Sequence, residues 1–119
     1  MKNSPSEANQ KLLHFFSCLA DETRLNIILA VSQKPKTVSE IHAAVGKSRK
    51  NKITLSAISH QLRLLSDAGA LSYEKNGKEK RFDLSEEFCW CMLKDIFRQF
   101  NKKVNFKCKK CLNKRNGVK

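Results

Sequence analysis

The sequence has no apolar run longer than the six residues Phe88 to Leu93, with five from Ile27 to Val31, whereas a membrane-spanning helix needs about 20. Its opening, MKNSPSEANQ, holds neither an apolar core nor a small-residue cleavage site. No secretory signal is expected, and the implied location is cytoplasmic and reducing. Histidine is scarce, with only His14, His42 and His60. No Gly-rich phosphate loop, Ser-His-Asp arrangement or pair of carboxylates sits on a recognisable scaffold, which argues against an enzyme. Acids are few as well, 11 against 24 Lys and Arg, for a formal net charge of +13. From Lys102 to Lys119 there is no acid at all. One further absence is local: Thr54 to Ser66 contains no Glu and no Lys.

What remains is a chain of 119 residues, 40% hydrophobic, enough for one small folded domain. The cations are clustered. Residues 102–119 carry eight, and KSRKNK at 47–52 carries four. Two such patches suggest a polyanion partner bound through phosphate neutralisation and counterion release. A solvated tail and an exposed loop would have the same composition.

Residues 1–6 read as a flexible N-terminus, 7–101 as one folded domain, and 102–119 as a basic, Cys-containing tail. Helical spacing of Leu12, Phe15 and Phe16 predicts a first helix. Asp21 is placed to cap a second, with Leu25, Ile28, Leu29 and Ser32 as its buried stripe. Pro35 interrupts it. TVSE at 37–40 is a capping box opening a third helix, which would bury Val38, Ile41 and Val45 and stop at Gly46. Thr54 caps a fourth, with Leu55, Ile58, Leu62 and Leu65 inward and Gly69 at its end. LSYEKNGKEKRFDL alternates about Asn76-Gly77, a hairpin signal. Ser85 then caps a last helix rich in apolar residues. The expected fold is mainly α with a β-hairpin, in the order α-α-α-α-β-β-α of a winged helix-turn-helix.

On the fourth helix the face opposite the core carries Ser56, Ser59, His60 and Arg63, with Ala57 near its edge and Thr54 at its cap. Hydroxyls, an imidazole and a guanidinium can reach base edges in a major groove, and small residues let the backbone approach. A merely solvated face usually carries Glu and Lys. In the wing, Lys78, Lys80 and Arg81 are candidate DNA contacts.

LADETRLNIILAV (19–31), TVSEIHAAVG (37–46), LSAISHQLRLLSDAGAL (55–71) and NGKEKRFDL (76–84) together resemble the ArsR/SmtB family of small transcription repressors over about residues 8 to 101. The resemblance implies a homodimer joined through the first and last helices. It also implies a palindromic operator, and release of that DNA by a metal ion or another signal. Excess apolar surface on the last helix agrees with a dimer. The candidate interface is Leu12, Phe15, Phe16, Phe88, Met92, Ile96, Phe97 and Phe100.

Two features depart from the family pattern. The basic segment between Gly46 and Ile53 lengthens the turn before the recognition helix, which makes Arg49 and Lys50 candidate phosphate contacts. The familiar metal ligands are also missing: SEIHAAV has no Cys, and the last helix has no His. In their place stand Cys89 and Cys91, and the tail pair Cys108 and Cys111 in CKKC. Thiolates bind Zn²⁺ or a softer, thiophilic ion such as Cu(I), and flanking cations would make the tail thiols redox-reactive. On one helix Cys89 and Cys91 would point about 200° apart. The candidate set is therefore Cys108 and Cys111 with one of Cys89, Cys91 or Cys18. The alternative is a winged-helix nucleic-acid-binding protein with no ligand sensing, architectural or constitutive.

Overall fold

Asp21 separates the first two helices, and its carboxylate accepts from the Arg24 amide at 3.0 Å to cap the second. In the computed structural model, which describes residues 5–46 and 52–100, the helices are α1 (Pro5–Leu19) and α2 (Glu22–Gln33). A short strand β1 (Lys36–Thr37), α3 (Val38–Val45) and α4 (Leu55–Asp67) follow. The hairpin β2 (Leu71–Asn76) and β3 (Glu79–Leu84) leads to α5 (Cys91–Gln99). The four helices, hairpin and closing helix stand in the expected order. Among the described residues no helix is long and apolar enough to cross a membrane.

α2 is the central helix, packed against α1, α3, α4 and β3. It buries Ile27, Ile28, Val31 and Ser32 rather than the stripe Leu25, Ile28, Leu29, Ser32. Five consecutive apolar residues carry no phase information, and a helix covered on several sides takes in most of the run. On α4 the buried residues are Ile58, Leu62 and Leu65, whereas Leu55 is 47% exposed because the core ends before that first residue. On α3, Ile41 and Val45 are buried and Val38 is half-buried. α1 begins at Pro5, two residues before the expected start; proline is well suited to a first helical position because its missing amide has no partner to lose there.

The sheet has three strands, in the order β1-β3-β2, one more than the hairpin alone. The extra strand pairs Lys36 with Phe82 and Thr37 with Arg81. Two residues are too few to show alternation, and Thr37 doubles as the cap of α3. The hairpin loop is Gly77-Lys78, not Asn76-Gly77, because Asn76 pairs with Glu79. Pairing Leu71 with Leu84 and Tyr73 with Phe82 puts the apolar residues on one face and so sets the register. Gly77 takes φ +70° at the first loop position, a conformation that costs glycine little.

The last helix starts at Cys91, not at Ser85. The Ser85 hydroxyl accepts from the Glu87 amide at 3.1 Å, so it caps a turn. Trp90, 3% exposed, donates its indole N–H to the Ser85 carbonyl at 2.7 Å. Phe88 and Trp90 gather around Phe15 of α1, with ring centroids 4.2 and 6.0 Å from it. This aromatic cluster holds residues 85–90 against α1.

Candidate nucleic-acid interface

The helix-turn-helix is formed by α3 and α4. α3 opens with the complete capping box: the Thr37 hydroxyl accepts from the Glu40 amide at 3.3 Å, and the Glu40 carboxylate accepts from the Thr37 amide at 2.9 Å. The chain leaves α3 at Gly46 and returns at Ile53, and the two ends are pinned together. The Ile53 amide donates to the Gly46 carbonyl at 3.3 Å, and His42 Nε2 donates to the Ile53 carbonyl at 2.8 Å. Gly46 is required by space, since a β-carbon there would lie 2.7 Å from both the His42 ring and the His42 carbonyl. Arg49 and Lys50 fall in the segment so enclosed, outside the described residues.

α4 presents Ser56, Ser59, His60 and Arg63 as one exposed stripe at spacings of three and four, with Ala57 half-buried at its edge. Thr54 Oγ1 is engaged by the Ala57 amide at 3.1 Å, capping the helix. The first turn of α4 contains no acid, so its positive dipole end is not neutralised. Arg24 fixes the seating of this helix: its Nε donates to the Cys18 carbonyl at 3.0 Å and one terminal nitrogen donates to Gln61 Oε1 at 3.2 Å. Sequence reasoning missed this bridge from α1 to α4, because neither partner is encoded by a local spacing.

The wing divides its cations between two faces. Lys80 shares a face with Tyr73 and Phe82, its ammonium 4.5 Å from the centre of the Tyr73 ring. A cleft of about 330 Å³ separates this face from α4, and Arg63 and Lys80 both line it. Arg81 is on the opposite face, where it lies 3.5 Å from Glu40 of the capping box. The Thr37 amide holds the Glu40 carboxyl below the usual carboxylate range; desolvation opposes it, and Arg81, Lys34 and Lys36 each add a lesser lowering. Lys78 is exposed in the hairpin loop. The cleft therefore joins Arg63 with Lys80 but not with Arg81. Tyr73, 46% exposed, is the neighbour that sequence reasoning overlooked.

These elements are those of known proteins. The family model described as bacterial regulatory protein, arsR family, matches residues 21–73, from the cap of α2 to Tyr73. The arsenical resistance operon repressor of Bacillus subtilis is 31% identical over 91 residues, covering 73% of this chain and 78% of that protein. The chain belongs to the ArsR family. A second relative, the transcriptional repressor SmtB homolog of Synechocystis, is 29% identical over 87 residues. This ArsR-family chain spans 61% of the length of that relative. Among solved structures, the homodimeric winged helix-turn-helix DNA-binding domain Mb0332 of Mycobacterium bovis aligns with a TM-score of 0.63 at 17% identity, covering 87% of this chain and 96% of that one. That likeness concerns the fold.

The other two groups of candidate residues fare unevenly. Leu12, Phe16, Met92, Ile96 and Phe100 are exposed apolar side chains, as is Leu13, which was not anticipated. Phe15, Phe88 and Phe97 instead pack against the chain's own core, so much of their area is already buried within one chain. Of the cysteines, Cys18 is only 5% exposed and would need the core to open before it could bind a ligand. Cys89 precedes α5, so helical geometry does not set its angle to Cys91. Among the described residues no three His, Cys, Asp or Glu side chains come together as a metal site, so these residues alone do not fit an ion that needs four ligands. Cys108 and Cys111 lie outside the described residues.

Proposed function

We propose that this chain is a transcription repressor that binds a palindromic site in double-stranded DNA as a homodimer and is released from it by a signal at its thiols. The family relationship supports DNA-binding regulation. The observation that carries the finer reading is the α4 stripe of Ser56, Ser59, His60 and Arg63, free of Glu and Lys beside a wing that carries Lys78, Lys80 and Arg81. Ser56, Ser59 and His60 meet base edges, while Arg49, Lys50, Lys78 and the tail supply phosphate contacts. Exposed Leu12, Phe16, Met92, Ile96 and Phe100 support the dimer, which buries them on a second copy.

The test is selection of duplexes from a randomised pool, followed by fluorescence-anisotropy titration of the selected and a scrambled duplex. Ser59→Ala and His60→Ala should each reduce the preference for the selected duplex by about 1–3 kcal/mol. Equal affinity of the wild-type protein for both duplexes would sink the reading.

The signal is assigned to Cys108 and Cys111 with Cys89 or Cys91. Titrating Zn²⁺, and separately a thiol oxidant, should change affinity about 5- to 150-fold, and a Cys108→Ser/Cys111→Ser variant should not respond. Burial of Cys18 in the core favours a second reading, a constitutive DNA binder without sensing; identical curves under every condition would establish it.

A further inference from the structure

We propose that the cleft between α4 and the wing seats one backbone phosphate of duplex DNA, held by Arg63 and Lys80, with Tyr73 as the residue that positions Lys80. The inference rests on the DNA-binding reading and assigns Arg63 to the backbone rather than to a base. Four observations converge on it. Arg63 and Lys80 come from different elements and line one cleft of about 330 Å³. Buried Leu62 and Phe82 and half-buried Val38 contribute to its lining, and apolar surroundings weaken screening and strengthen a charge-assisted hydrogen bond. Ser59 and Ser66 also line it, and Ser66 Oγ is a buried hydroxyl without a hydrogen-bond partner. Asp67 is the one acid on the lining, so the cleft keeps an excess of positive charge.

Tyr73 contributes through the sheet register. It is paired directly with Phe82, and Lys80, two residues before Phe82 on β3, is its diagonal neighbour. The ring meets Phe82 at 5.4 Å between centroids and presents its face to the Lys80 ammonium at 4.5 Å. A lysine stem on a two-stranded wing has many rotamers, and this contact selects one that lines the cleft. Arg63 lies one turn beyond Ser59, about 6 Å further along the helix. The stripe thus divides into an N-terminal part for base edges and Arg63 for the strand that passes between helix and wing.

The experiment is anisotropy titration across a range of salt, on a selected and a scrambled duplex, with Arg63→Ala, Lys80→Ala, Tyr73→Leu, Tyr73→Phe and Tyr73→Leu/Lys80→Ala. Arg63→Ala and Lys80→Ala should each flatten the slope of log K against log salt by up to about 1.8, or about 0.9 for each of the dimer's two clefts, and weaken both duplexes by the same factor. Tyr73→Leu should weaken binding about two- to fivefold and have no further effect once Lys80 is alanine, while Tyr73→Phe behaves as wild type. Lys80→Gln keeps the stem over the ring without the charge and should match Lys80→Ala even if Tyr73→Leu does not fold. Loss of preference for the selected duplex in Arg63→Ala would return Arg63 to base reading and overturn the proposal. So would an unchanged salt slope, or a Tyr73→Leu penalty that persists without Lys80. Failure of the underlying reading looks different: the wild-type protein itself would show no preference between duplexes.

Discussion

The Glu40 carboxylate accepts from the Thr37 amide at the start of α3 and reaches Arg81 on the wing. One side chain thereby links the cap of the first helix of the helix-turn-helix to the strand that carries Lys80. Both partners favour the ionised form and hold its pKa below the usual range. A depressed folded value means the stabilisation is complete above the ordinary carboxylate range and is lost as pH falls through the folded value. Melting temperature should therefore drop on acidification below about pH 4, and more steeply in wild type than in Glu40→Gln, which keeps an acceptor for Thr37 but cannot ionise. Parallel pH profiles of the two proteins would deny Glu40 this part.

At the scale of elements, the connection before α5 depends on Trp90, whose indole both donates to Ser85 and completes the cluster with Phe15 and Phe88. Trp90→Ala should cost about 3–5 kcal/mol in urea unfolding followed by circular dichroism. Trp90→Phe, which keeps a ring but removes the donor, should cost about 1–3 kcal/mol. The same element marks the limit of what the sequence discloses. Asp21, Thr37 and Thr54 announce their helices because a cap is a local bond between residues three apart, and each makes the expected one. Ser85 has the same local appearance, yet tertiary packing of Phe88 and Trp90 on α1 turns it to another use. β1, the Arg24 bridge and the Tyr73–Lys80 contact were hidden for a related reason. Each joins residues far apart in sequence or too few to form a pattern. The exposed stripe of α4 was readable, since the buried period of Ile58, Leu62 and Leu65 fixes its opposite side.

For the molecule as a whole, α5 has no buried residue, although Leu93 and Phe97 lean on the core. Met92, Ile96 and Phe100 face outward at 58%, 47% and 77% exposure. In the proposed dimer a second copy covers them, so Ile96→Glu would place an unpaired charge in an apolar contact. The variant should elute at monomer mass by light scattering. It should also lose affinity for a duplex with two half-sites about 34 Å apart while retaining weak, salt-sensitive binding; a persistent dimer would place the contact elsewhere. The pinned ends of the helix-turn-helix connection have a practical corollary. Because Gly46 and Ile53 are held together by the fold itself, the length and content of the chain between them should be open to change without loss of the fold. Doubling the length of such a loop costs only about 0.6 kcal/mol. Exchanging residues 47–51 for a Gly-Ser spacer should leave the melting temperature nearly unchanged while affinity for all duplexes falls. A peptide tag or dye-labelled spacer inserted there should then report on DNA from beside α4 without lowering the melting temperature.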